Sequence, residues 1–205
     1  MSPWLGNLRA ATREIHARLH LHPAFAPLAC VPPDLPGYAR LLAQLEGFHA
    51  PVEAWLFGGA ARRVPELTDL ARRRKAHLLG ADLASLAVIV PPFVGAGAAM
   101  DVGGDLSRAA VLGGLYVTEG STLGGRELGR RLEPVLRARG LGGTEGRRFF
   151  LAYGTSHGVM WQRFCTVAER VAQDFSAAEH ADMAGAARAL FLRLEDWLTH
   201  GQAAA

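Results

Sequence analysis

Cysteine is scarce in this chain. Cys30 and Cys165 stand alone, with no CxxC and no metal-ligand spacing, which excludes a disulfide scaffold and a cysteine-built zinc site and fits a reducing compartment. Lysine occurs once, as Lys75, and the net charge is only +3. No basic run is interleaved with aromatics, so nucleic-acid binding is not expected. The one basic cluster, Arg72-Arg73-Arg74-Lys75, stands at the expected end of a helix and reads as a solvated face. Alternating strand runs, hairpin signals, internal repeats, a P-loop and a GxGxxG after a strand are all missing. The most apolar stretch, residues 83–100, is interrupted by Pro91-Pro92 and by glycines and makes a poor membrane span. A basic region followed by an apolar one is missing at the N-terminus. The expectation is a cytoplasmic protein with no membrane or nucleic-acid partner.

What remains is helical. Half of the 205 residues are hydrophobic, enough for one all-α domain over residues 1–205 with seven or eight helices. Leu8, Thr12, Ile15 and Leu19 repeat at helical steps and predict a first helix over 7–21, ended by His22-Pro23. A second is expected over 38–57, kinked at Pro51 and stopped by Gly58-Gly59. A third is expected over 66–79. Residues 82–90 read equally as a short helix or an extended segment, and 91–105 as loop. A long helix follows over 106–139, with a break expected near Pro134. Phe149, Phe150 and Tyr153 belong to a short helix. Two more cover 159–172 and 177–197, the last opened by a capping box between Ser176 and Glu179. The tail beyond His200 is expected to fray.

The long helix carries Gly113, Gly114, Gly120, Gly124, Gly125 and Gly129. Each interior glycine costs roughly 0.5–1 kcal/mol relative to alanine, so so many need a reason. Gly113, Gly120 and Gly124 share one face, which could accept a flat ligand or another helix. On the first helix, Arg9, Arg13, His16 and His20 form a stripe beside the buried face. His16 and His20, four apart, could form a metal pair, but no third ligand is spaced to join them.

Leu8-Arg9-Ala10-Ala11-Thr12-Arg13-Glu14-Ile15-His16 resembles the proximal-helix motif of the heme oxygenase family. Tyr116-Val117-Thr118-Glu119-Gly120-Ser121-Thr122-Leu123-Gly124-Gly125 resembles the distal helix of its bacterial, biliverdin-producing branch. The spacing of Trp161, Phe164, Phe191 and Trp197 is similar to that of its closing helices. The resemblance implies a heme between two helices, with His16 as axial ligand of the iron, the backbone of Gly120 and Gly124 against the other face, and Arg9 and Arg13 meeting the propionates. It also implies that Tyr116, Phe164 and Phe191 line the pocket. The expected reaction cuts heme b, both cofactor and substrate, at a meso carbon, giving biliverdin, carbon monoxide and free iron. It would use O2 and an external reductant supplied by a ferredoxin or flavoprotein reductase, with a phytochrome-type photoreceptor as recipient of the bilin.

Ser121 stands where mammalian members have an Asp that orders a water, so Ser121, Tyr116 and backbone-held water are the candidates for proton delivery. His20 is the competing iron ligand. Three other readings stay open: a heme sensor or carrier that does not cut its ligand; a helical enzyme acting on a thiamin-like substrate through Cys165 with Glu169; and a structural module whose glycine face packs on a helix.

Overall fold

The structure is a computed structural model, and residues 3–90 and 106–200 are described. The segment 91–105, expected as loop, and the tail 201–205 lie outside the described residues. Among the described residues nine α-helical segments follow in order: α1 Pro3–His20, α2 Ala26–Ala29, α3 Leu35–Arg63, α4 Leu70–Arg73, α5 Ala76–Leu86, α6 Arg108–Arg137, α7 Arg148–Leu151, α8 His157–Ala172 and α9 Ala177–His200. No strand occurs among the described residues. The fold is all-α, as the patterning predicts.

The periodic face of α1 is the buried one: Leu8, Thr12, Ile15 and Leu19 are all sequestered, and Trp4 extends the stripe one turn upstream. Wholly buried leucines at 41, 42, 56, 79, 112 and 115 carry the same core through α3, α5 and α6; each such side chain contributes about 1.5–3 kcal/mol. Helix α9 lies against both α6 and α1 and forms their shared wall. Its capping box is present. The Ser176 amide donates to Glu179 Oε2 at 2.8 Å, and the Glu179 amide donates to Ser176 Oγ at 3.3 Å. Trp197 Nε1 donates to the Gln44 carbonyl at 2.8 Å and ties α9 to α3.

Several boundaries differ from expectation for identifiable reasons. Helix α3 runs through Pro51 and past Gly58-Gly59 to Arg63. Gly59 is a packing position rather than a stop, since a Cβ there would stand 3.1 Å from Leu106 and 3.2 Å from Val111. The helix ends where Val64 precedes Pro65. The expected third helix is two, α4 and α5, interrupted at Arg74-Lys75. There the Glu53 carboxylate of α3 accepts from the amides of Lys75 at 2.6 Å and Ala76 at 3.0 Å. This satisfies the first donors of α5 from across the core. Residues 82–86 continue α5 as helix. Helix α6 passes through Pro134 to Arg137; the hydrogen bond that proline removes, to the Arg130 carbonyl, lies on the exposed face near the helix end. Tyr153 falls just beyond α7.

Candidate functional site

The glycines of α6 divide into two sets. Gly113, Gly114, Gly125 and Gly129 are consumed by the protein's own packing. A Cβ on Gly113 would lie 2.2 Å from the Met183 carbonyl oxygen of α9, one on Gly114 2.8 Å from Leu56, and one on Gly129 2.9 Å from Leu151. A Cβ on Gly125 would lie 3.1 Å from the Phe150 carbonyl oxygen. Gly113 therefore does not belong to an open face with Gly120 and Gly124, as its spacing suggested; α9 fills its position. At Gly120 the nearest contact is the Trp161 indole at 3.7 Å, and at Gly124 nothing lies within 4 Å. Gly120 is half-buried, while Ser121, Leu123 and Gly124 are exposed. These two glycines carry the helix-propensity cost with no internal packing to explain it.

His16 lies on the exposed side of α1. Its ring is edge-on to Phe191 of α9, centroids 5.8 Å apart, and 4.5 Å from the ring of His20. Partial burial, and then the charge of His20, lower its pKa from the ordinary 6.5, so at neutral pH the imidazole is uncharged and its lone pair is available to a metal. Among the described residues no group of three His, Cys, Asp or Glu gathers into a metal-holding cluster. Arg9 and Arg13 are exposed on α1. Phe191 stands one turn along α9 from Ala187, whose amide nitrogen would lie 3.1 Å from a Cβ on Gly113. The His16 helix and the glycine helix thus meet the same few turns of α9.

Tyr116 is half-buried against Trp161, centroids 5.9 Å apart, and Trp161 packs in turn, tilted at 41°, on Phe164 with centroids 5.6 Å apart. Phe164 is fully buried, with Trp4 of α1 edge-on to it at 6.4 Å. It is a core residue that backs Trp161, and Trp161 is the aromatic beside Gly120. The sequence pattern puts Trp161 on the apolar side of its helix, and its i, i+3 spacing from Phe164 carries no signal that separates a site residue from a core one.

Behind α6 lies a network that the sequence concealed. Glu119, wholly buried, accepts from Arg73 Nη1 at 2.5 Å, from Lys75 Nζ at 2.7 Å, and from the Tyr153 hydroxyl at 3.0 Å to each oxygen. Arg73 also forms a bidentate pair with Asp69, at 2.6 and 2.9 Å, a geometry specific to guanidinium and carboxylate. Arg73 is 0% and Lys75 5% exposed, so two of the four residues expected to form a solvated basic face are core groups. Two positive and two negative charges balance there. Burial lowers the Lys75 pKa, opposed chiefly by Glu119, and burial together with the Glu119 charge raises that of Tyr153. The Thr118 carbonyl accepts from Lys75 Nζ at 3.1 Å and from Ser121 Oγ at 2.9 Å. The Ser121 hydroxyl proton is thereby committed to its own helix, leaving oxygen lone pairs facing outward.

Cys165 is partly buried, and burial raises its pKa. A raised thiol pKa lowers the thiolate fraction, which disfavours a nucleophilic role. No described helix is long and apolar enough to cross a membrane.

No family model matches the sequence, and no curated protein matches it either. Among solved structures, the NO- and CO-bound heme oxygenase of Neisseria meningitidis superposes with a TM-score of 0.67, covering 98% of this chain and 93% of that one at 21% identity. The chain has the all-α fold of that heme oxygenase.

Proposed function

We propose that the chain is a heme oxygenase that cleaves heme to biliverdin, carbon monoxide and iron with O2 and external electrons. The observation that carries this reading is the bare backbone at Gly120 and Gly124. It has no use in the protein's own packing, and it occurs on the fold of a heme oxygenase. A flat ring is a ligand that such a surface suits and that side chains would exclude.

Heme, as substrate, supplies the iron at which O2 chemistry takes place; the chain supplies ligand, orientation and proton. In this reading His16 provides the neutral imidazole nitrogen, with Phe191 limiting the tilt of its ring. Arg9 and Arg13 meet the propionates and fix the in-plane rotation of the ring, hence which meso edge is presented. Gly120 and Gly124 permit close approach of the α6 backbone, and Tyr116 and Trp161 close one end. Ser121 Oγ, its proton donated to Thr118, accepts a hydrogen bond from a water and so directs that water's second proton outward; this is how a hydroxyl takes the place of a carboxylate. Electrons come from a ferredoxin or flavoprotein reductase, and a phytochrome-type photoreceptor is a recipient for the bilin. The reaction belongs in the cytoplasm.

The uncharged Ser121 also suits a second reading, a heme sensor or carrier, because its own proton is engaged. One absorption series tests both. Protein loaded with hemin is given reductant in air with catalase present. Decay of the Soret band into broad red absorption is expected; a lasting ferrous spectrum with no bilin favours the carrier, and absence of hemin binding refutes both.

A further inference from the structure

We propose that Glu119 is a positioning residue, whose clamp with Lys75, Arg73 and Tyr153 fixes the stretch of α6 from Thr118 to Gly124. What that stretch receives rests on the heme reading above; the clamp itself rests on geometry alone.

The stretch has little else to hold it. Gly120 and Gly124 have no side chains, and Ser121, Leu123 and Gly124 are exposed. Thr118 and Thr122 are buried, but their hydroxyls donate within the helix, to the Leu115 carbonyl at 3.3 Å and the Glu119 carbonyl at 2.8 Å. The hydrogen bonds joining this stretch to neighbouring elements centre on Glu119 and on the Thr118 carbonyl. Through them it is tied to α4 by Arg73, to the segment before α5 by Lys75, to the loop after α7 by Tyr153, and to α8, since Arg73 also donates to the Met160 carbonyl at 3.3 Å. A helix segment stripped of side chains on one face is held by charge on its flank. Lys75 has a second effect: by sharing the Thr118 carbonyl with Ser121, it fixes the acceptor that orients the Ser121 hydroxyl.

Amide hydrogen exchange of the ligand-free protein tests the clamp. In Glu119→Gln the shape is kept and the charge is lost. Amides of residues 120–125 should exchange about ten-fold faster or more, the scale of one charge-assisted hydrogen bond, while those of 112–116 and 130–136 stay within about two-fold. Lys75→Gln should show the same local pattern, and Lys75→Arg should largely restore protection; Lys75→Gln and Lys75→Arg decide the matter if Glu119→Gln does not fold. Unchanged exchange at 120–125, or acceleration spread evenly over the chain, overturns the proposal. In the ferrous hemin–CO complex, Glu119→Gln should shift or broaden the C–O stretching band, and an unchanged band overturns the link to the ligand face. Failure of the wild type to bind hemin would count against the heme reading, and the exchange data would still judge the clamp.

Discussion

The imidazole of His16 stands edge-on to the phenyl ring of Phe191, planes at 80° and centroids 5.8 Å apart. The contact crosses from α1 to α9 and fixes the ring while leaving the side chain exposed. His16→Ala is therefore expected to change stability by less than about 0.5 kcal/mol, as at other surface positions, yet to abolish the intense Soret band of the hemin complex. His20→Ala should keep that band. If His16→Ala keeps it and His20→Ala loses it, the ligand is His20.

The two glycine sets make opposite predictions. Gly113→Ala would place a methyl 2.2 Å from the Met183 carbonyl oxygen and should cost about 3 kcal/mol or more in urea unfolding, by forcing α6 from α9. Gly124→Ala meets nothing within 4 Å and should stabilise the ligand-free protein by about 0.5–1 kcal/mol through helix propensity. Gly120→Leu and Gly124→Leu should fold and weaken hemin binding about ten-fold or more, or shift the meso carbon attacked. Hemin titrations matching wild type would remove the ring from this face.

His49 packs between Phe48 and Phe149, at 5.4 and 5.1 Å. Burial, aided by the charge of Lys75, lowers its pKa from 6.5 to about 3. The folded state thus disfavours the protonated form. The resulting stability is fully present above pH 6.5 and is lost as pH falls from there toward 3. The loss is of the order of 3–5 kcal/mol. Denaturant unfolding at a series of pH values should show a shallower fall below pH 6.5 in His49→Leu than in wild type. Parallel curves would mean that His49 is not the group responsible.

Asp82 accepts from the amides of Arg148 and Phe149, both at 2.9 Å, and so caps α7 from α5. Asp82→Ala should cost about 1–3 kcal/mol, since two part-buried donors lose a charged acceptor. It should also loosen the loop carrying Tyr153. Unfolding midpoints together with proteolysis between 148 and 156 would show it, and wild-type resistance there would sever the supposed coupling between cap and loop.

What was legible in the sequence was local. The stripe Leu8–Thr12–Ile15–Leu19 and the Ser176–Glu179 box depend on residues three and four apart, and both stand where the pattern put them. The glycines of α6 were visible as an anomaly, but spacing could not separate Gly113 from Gly120 and Gly124, because what occupies a glycine's empty side belongs to a distant helix. Half of the Arg72–Lys75 run departs from the expected solvated face for the same reason: Arg72 and Arg74 are exposed, Arg73 and Lys75 are not. A basic cluster at a helix end is ordinarily solvated, and only a carboxylate more than forty residues away, at Glu119, makes Arg73 and Lys75 core groups. Likewise Glu53, from α3, decided where α5 begins.

The division of the α6 glycines bears on how such a helix can change over generations. A lineage that substitutes Gly113 loses stability at once, because folding itself polices that position against the α9 backbone. A lineage that substitutes Gly124 keeps a sound and slightly sturdier protein, since only an occupant of the open face objects. On the proposed heme reading, purifying selection at Gly120 and Gly124 would therefore last only as long as the ligand matters. A descendant that had given up the ligand would first show it by acquiring side chains at those two places, with the rest of the helix intact.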